Sequence, residues 1–319
     1  MKYLLNLFSW SLVVLLGTTM TSCNSNDDLG NQGIEISGIT FDGDVDCCSA
    51  EEALNVYNFL QGLKEIPELA TDIEGKYSIR VYTKTGTLHV GYNDLFFVST
   101  KKETGNYVKY LTVTDITPLM LMTQMGMKHS TPVSDDTNLV NYDFPAVKRG
   151  WVSFVMSSSD NGTWTLGYSA EVLGSKGSVE TDITVDALPE GQVWLKSFKV
   201  DSDTYYLSLV NPADWQTGSN TIQAYVSKKN TPATTPYGLA EEQFTIDIDP
   251  RMPDMGNHTS PDNQGLTLQD DGSYEGLVNL TMTGLWRIHL TVKDAEGNVV
   301  AGGDDLKDGY SSLFFDVTL

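Results

Sequence analysis

From Lys76 onward, apolar and polar residues alternate with a period of two in one short run after another. That is the signature of half-buried strands. "YSIRVYTKTGTLHVGYNDLFFVST" is broken by the turn residues Thr85-Gly86 and Tyr92-Asn93-Asp94, and "NYVKYLTVTDITPLMLMT" follows. "DFPAVKRGWVSFVMSSS" and "GTWTLGYSAEV" flank Asp160-Asn161-Gly162, a hairpin turn. A Pro- and Gly-bearing acidic stretch at 179–192 interrupts the series, and "VWLKSFKV", "TYYLSLV", "NTIQAYVSKK", "EEQFTIDID", "YEGLVNLTM", "LWRIHLTVKD" and "SLFFDVTL" repeat the plan. The period changes to a helical one only near the start. Ser49-Ala50-Glu51-Glu52 has the capping-box form, and Ala53, Val56, Tyr57, Leu60 and Leu63 fall on one face of a helix over 49–63. The pattern predicts an all-β fold: two tandem immunoglobulin-like β-sandwich domains, with the one short N-terminal helix as a lid on the first. The expected sandwiches are 76–180 and 190–319, with 49–75 holding the helix and its connection.

The first residues read as an address. Lys2, the apolar core "LLNLFSWSLVVLLG" and Met20-Thr21-Ser22 before Cys23 form a signal peptide over 1–22. The pattern resembles bacterial lipoprotein signals, in which the Cys is lipidated. Residues 23–48 then form a polar tether and one linker strand, "GIEISGITF". The tether resembles that of Bacteroidetes surface lipoproteins, which implies lipid anchoring in the cell envelope, at the outer membrane and facing outward. No later run is long and apolar enough to span a bilayer. The formal net charge of -22 repels phosphate backbones, which excludes nucleic acid as a partner and suits a solvated acidic surface. Asp42, Asp44 and Asp46 have the alternate spacing of a calcium loop, but Cys47 stands where that loop needs Gly and Ala53 where it needs Glu. Cys47 and Cys48 are adjacent, so they define no disulfide framework.

Methionine is the compositional oddity. Outside the signal segment, Met120, Met122, Met125, Met127, Met252, Met255 and Met282 fall at two repeated places, and only Met156 lies elsewhere. "MGMKHSTP" (125–132) and "MPDMGNHTSP" (252–261) each combine Met, Gly, one His, two hydroxyl residues and Pro. Each is followed about 25 to 32 residues later by a Trp, Trp164 or Trp286. Thioethers are soft donors that favour Cu(I), and imidazole suits Cu in either oxidation state as well as Zn, so Met125, Met127, His129, Met252, Met255 and His258 are candidate ligands, with Met122 and Met282 beside them. The competing interpretation is packing: Met fills irregular gaps in cores, and a His beside Ser and Thr satisfies a carbonyl. His89 and His289 lie on strands outside any donor cluster and read as structural. Trp151, Trp164, Trp194 and Trp286 read as sandwich core, and Trp215, among the turn residues of "NPADWQTG", as an exposed contact. Protease-type zinc spacing, a nucleophile elbow and a phosphate loop do not occur, so no enzymatic role is expected.

"MPDMGNHTSP" followed by "DDGSYEGLVNLTMTGLWRIHLTV" resembles the YtkA-like domain, an extracytoplasmic β-sandwich related to the FixH family. The positions that carry the likeness are Met252, Met255, Gly256, His258, Gly272, Tyr274, Met282, Gly284 and Trp286. It extends over 190–319 and in weaker form over 76–180, where Gly162 and Trp164 supply the Gly-x-Trp. Family loops often run Met-Gly-His-Gly, whereas Asn257 precedes His258 here. The resemblance implies copper handling, with the metal passing to an envelope protein partner. The alternative function is a non-catalytic surface-interaction or transport-accessory lipoprotein that binds no metal.

Overall fold

The computed structural model describes residues 34–36, 39–41, 49–140, 143–189, 192–212, 214–303 and 310–319. The signal segment, Cys23, the Asp42/Asp44/Asp46 series, Cys47 and Cys48 lie outside them. The expected linker strand is instead two antiparallel strands, Ile34–Ile36 and Ile39–Phe41, with Ile36 opposite Ile39.

Helix α1 (Ala50–Leu60) starts where the capping box places it. The Ser49 hydroxyl accepts from the Glu52 amide, and the Glu52 carboxylate accepts from the Ser49 amide. Its apolar face, Ala50, Ala53, Val56 and Leu60, packs on Phe96, Val98, Ala146 and Val147. The segment after it is part of the first sandwich. Lys64–Glu65 and Thr71–Ile73 pair with the strand Tyr77–Thr83, and Ile66, Leu69 and Ile73 enter the first core.

The first sandwich comprises β1 (Tyr77–Thr83), β2 (Gly91–Lys101), β3 (Leu111–Met122), β4 (Met127–His129), β5 (Val147–Phe154), β6 (Gly162–Val172) and β7 (Ser175–Ile183). One layer runs β1-β2-β5, extended by the short strand Asn138–Leu139 on β5, and the other runs β4-β3-β6-β7. The second unit opens with β8 (Leu195–Val200) and continues with β9 (Asp203–Asn211), β10 (Gly218–Lys228), β11 (Thr245–Met252) and β12 (His258–Thr259). Then come β13 (Gln264–Leu268), β14 (Tyr274–Leu280), β15 (Leu285–Lys293) and β16 (Phe314–Thr318). Here β9-β10-β14 form one layer and β12-β11-β15-β16 the other, joined along β13, which pairs with both β14 and β11.

The two strand orders are the same. In immunoglobulin lettering each unit has an A-B-E layer, with D on E, facing a C′-C-F-G layer. Both the alternation of each strand and this pairing give tandem immunoglobulin-like β-sandwiches. Two separate apolar clusters follow, one drawn from residues 66–185 and one from 198–317.

Candidate functional site at the two Met/His hairpins

Both Met/His stretches form the C–C′ hairpin of their sandwich. In the first, His129 lies opposite Met120 and Met127 opposite Met122; in the second, His258 lies opposite Met252. On the other side of strand C, Met120 faces Trp164, and Met252 lies one step beyond the Arg251–Arg287 pair, level with Trp286. A His–Met–Trp row therefore crosses three strands in each unit. Gly126 and Gly256 turn the two tips in the left-handed region (φ 61° and 63°), where a side chain on Cβ is strained. Asn257 is also left-handed, a conformation Asn tolerates better than most residues and the reason it can stand before His258.

Burial separates the methionines. Met120 and Met252 are core residues, 2% and 3% exposed, whereas Met125, Met127 and Met255 are 58%, 57% and 54% exposed. Trp164 and Trp286 are fully buried, and their indole Nε1 groups donate to the carbonyls of Met156 and Met282 at 3.0 and 2.9 Å. The methyl of Met252 would lie 3.0 Å from a Cβ at Gly284, and the methyl of Met120 would overlap one at Gly162. The Gly of each Gly-x-Trp thus makes room for the buried Met of strand C.

Of the six candidate ligands, Met252 is therefore packing, and its thioether is not presented with Met255 and His258. Met282 is half-buried against the second core. Met125, Met127, Met255 and His258 are exposed. His129 is half-buried, its ring edge-on to Trp164 at 5.5 Å, with Nδ1 2.9 Å from the Ser130 carbonyl. A carbonyl only accepts, so Nδ1 is the donor there and Nε2 is the ring nitrogen turned to other partners. Among the described residues, no three His, Cys, Asp or Glu side chains gather as a metal site, so any donor set must draw on the thioethers.

His89 and His289 take structural places. His89 Nδ1 contacts the Val90 carbonyl at 2.9 Å and its ring lies edge-on to Trp194. His289 is buried, donates from Nδ1 to the Ser311 carbonyl at 2.7 Å and stacks on Tyr310 at 5.2 Å. Burial disfavours its charged form and holds its pKa below 6.5. The unfolded chain then binds the proton more readily, so this contribution to stability is complete above 6.5 and falls as pH drops below it. Asp72, Glu74, Glu242 and Asp294 are also shifted downward, so their losses come at more acidic pH. Urea titrations across mildly acidic pH should show this slope in the parent protein and a flatter one in His289→Gln.

Two Trp assignments change. Val152 and Phe154 take the inward positions of β5, so Trp151 faces out of the first sandwich. It stacks on Tyr225 of the second unit (4.8 Å, 18°) and lies beside Tyr92 (5.6 Å). Trp194 packs against the second core as expected but is only half-buried, and its Cβ lies 3.2 Å from where a Cβ at Gly91 of the first unit would stand. Trp215 is half-buried against the second core rather than an open platform. Their alternation could have signalled this for Trp151, since adjacent residues on a strand cannot both face the core.

The first hairpin runs straight into that junction. Ser130 N donates to the Ala233 carbonyl (2.7 Å), Tyr237 N to Thr131 (3.1 Å) and Val133 N to Tyr237 (3.0 Å). Ser208 Oγ donates to Ser153 Oγ at 2.7 Å. Below the ring stack, Arg149 Nε donates to Asp94 Oδ1 (2.7 Å) and Tyr92 OH donates to the same oxygen (2.8 Å). Burial first, and then the facing Asp94 charge, push the Tyr92 phenol far above its ordinary pKa, so it remains a donor. The second hairpin instead turns back into its own unit, where Asn263 Nδ2 donates to the Ser260 carbonyl at 2.7 Å.

Among the described residues, no helix is long and apolar enough to cross a membrane. No known protein-family model matches the chain, and no curated protein matches it. Solved structures similar to it include invasin, a bacterial integrin-binding protein, at 16% identity over 73% of this chain and 37% of invasin, with a TM-score of 0.20. A chimeric titin tandem matches at 11% identity over 66% of this chain and 88% of its own, with a TM-score of 0.17. An I-band fragment of titin matches at 10% identity over 66% and 58%, with a TM-score of 0.16. The chain thus spans little more than a third of invasin, and at these TM-scores the likenesses carry no argument. The strand order alone identifies the chain as a tandem of two immunoglobulin-like β-sandwiches.

Proposed function

We propose that this chain is a lipid-anchored binding protein of the cell envelope that carries a soft metal ion, Cu(I), as cargo on its Met/His hairpins and passes it to an envelope partner. Its role is binding rather than catalysis. The observation that supports this is the repeated C–C′ hairpin, whose tips hold Met125, Met127 and Met255 in solvent although Met is ordinarily a core residue. A few soft, accessible donors hold a Cu(I) ion by bonds that exchange readily, so the ion moves between proteins by ligand substitution without change of oxidation state.

One observation favours a second reading, a surface-interaction or transport-accessory lipoprotein without metal: Met252 is packed into the core, leaving the second hairpin with two donors. Anaerobic titration of Cu(I) into the mature protein against a chromophoric chelator separates the two. Metal handling predicts competitive binding that is lost when Met125, His129, Met255 and His258 are all replaced by Ala. Weak binding, equal in both proteins, leaves the hairpins as architecture and supports the interaction module.

A further inference from the structure

We infer that the chain carries one soft-metal site rather than two, built by Met122, Met127 and His129 on the inward face of the first hairpin. The inference rests on the metal-binding reading above and gives it an address that includes Met122, which lies outside the six leading candidates.

Side chains on one face of a strand recur every second residue, and directly opposed residues of an antiparallel pair share a face. Met120 is buried, so Met122, two positions on, faces the same way, and it packs half-buried against the first core. Its cross-strand partner Met127 and the Met120 partner His129 therefore share that face. The Met122 and Met127 Cβ atoms are about 5 Å apart, as in any directly opposed pair. The Met127 and His129 Cβ atoms are about 7 Å apart, two strand residues along. Flexible thioether arms cross such gaps, and the Ser130 carbonyl already orients the imidazole through Nδ1, which leaves Nε2 as the ring nitrogen without that contact. Two thioethers and one imidazole make a low-coordinate set that suits Cu(I) and lacks the thiolates of a structural zinc site.

The second hairpin cannot repeat this. Its ladder closes at Met252–His258, the equivalent of Met120–His129, so the outer pair that supplies Met122 and Met127 does not exist there. Met252 is committed to the core beside Gly284, and Met255 sits in the short 3₁₀ turn Pro253–Met255. What remains is one thioether and one imidazole.

The test is Cu(I) titration of the mature full chain and three variants, under anaerobic conditions against a chromophoric chelator. Met127→Leu is exposed and leaves the core untouched, Met127→Leu/His129→Gln removes two donors, and Met255→Leu/His258→Gln strips the second hairpin. The parent should bind one equivalent. Loss of a ligand costs at least what loss of an outer-shell partner does, so both hairpin-one variants should bind roughly 100-fold more weakly. The hairpin-two variant should match the parent in affinity and stoichiometry. Circular dichroism verifies folding of each, and Met127→Leu alone decides the matter if the double variant does not fold. Two equivalents in the parent, or loss confined to the hairpin-two variant, overturns the single-site inference while the metal reading stands. Absence of competitive binding in the parent overturns both.

Discussion

Replacing Trp286 with Ala should destabilise the second sandwich by about 3–5 kcal/mol, the range for deleting a large buried ring. Trp286 is fully buried, and its indole donates to the Met282 carbonyl, so the variant loses apolar contact and leaves that acceptor without its partner. The flanking Met252 and Gly284 offer little compensation, because Met252 already occupies the space above the glycine. Trp164→Ala should cost a similar amount in the first sandwich, where the same row of His129, Met120 and Trp164 recurs. Urea unfolding followed by far-ultraviolet circular dichroism measures both. A loss under about 1 kcal/mol in either variant, the level of an ordinary surface change, would mean that the Trp is not the centre of its core.

Trp151→Ala should uncouple the two units, at a cost on the order of 2–4 kcal/mol, as for an aromatic anchor at the centre of an interface. The stack of Tyr92, Trp151 and Tyr225 is an apolar cluster at the junction, and Val210 and Leu239 pack on it. Trp151 also walls a cleft of about 280 Å³ that includes Arg149, Tyr225 and Asp271. Truncation there opens a path for water instead of a sealed void, which is why the expected cost is below that of Trp286→Ala. Scanning calorimetry should resolve one transition in the parent into two in the variant, and the radius of gyration in solution should rise. A single unchanged transition would place the coupling in the backbone bonds between Ser130–Val133 and Ala233–Tyr237 instead.

On the metal-binding reading proposed above, the residues around Ser130 bear on function as well as on stability. The strand that ends at His129 continues directly into those bonds, so the first hairpin is braced by the second unit. A donor set on a braced strand loses less side-chain and backbone freedom when a ligand orders it. The second hairpin has no such brace among the described residues. This difference agrees with a single site on the first.

Much of this molecule was legible along the chain. Period-two alternation marked the strands, because a strand between core and solvent must alternate. The capping box marked the start of α1 because the orphan amides of a helix end need those side chains. The recurrence of Met, Gly, His and Trp marked the internal repeat, and the strand order bears it out. What local patterning could not assign was direction in three dimensions. Met252 and Met255 are three residues apart and look alike as donors, yet one faces the core under Trp286 and the other faces water. Trp151 is apolar in an apolar run, yet it belongs to a junction whose other half, Tyr225, lies far along the chain. Met122 and Met127 stood near each other in the sequence as possible donors, but only the register shows that they are directly opposed. Residue type and period determine which positions can be buried. Register and the docking of one sandwich on the other decide which are, because those contacts join residues whose separation in sequence carries no local signal.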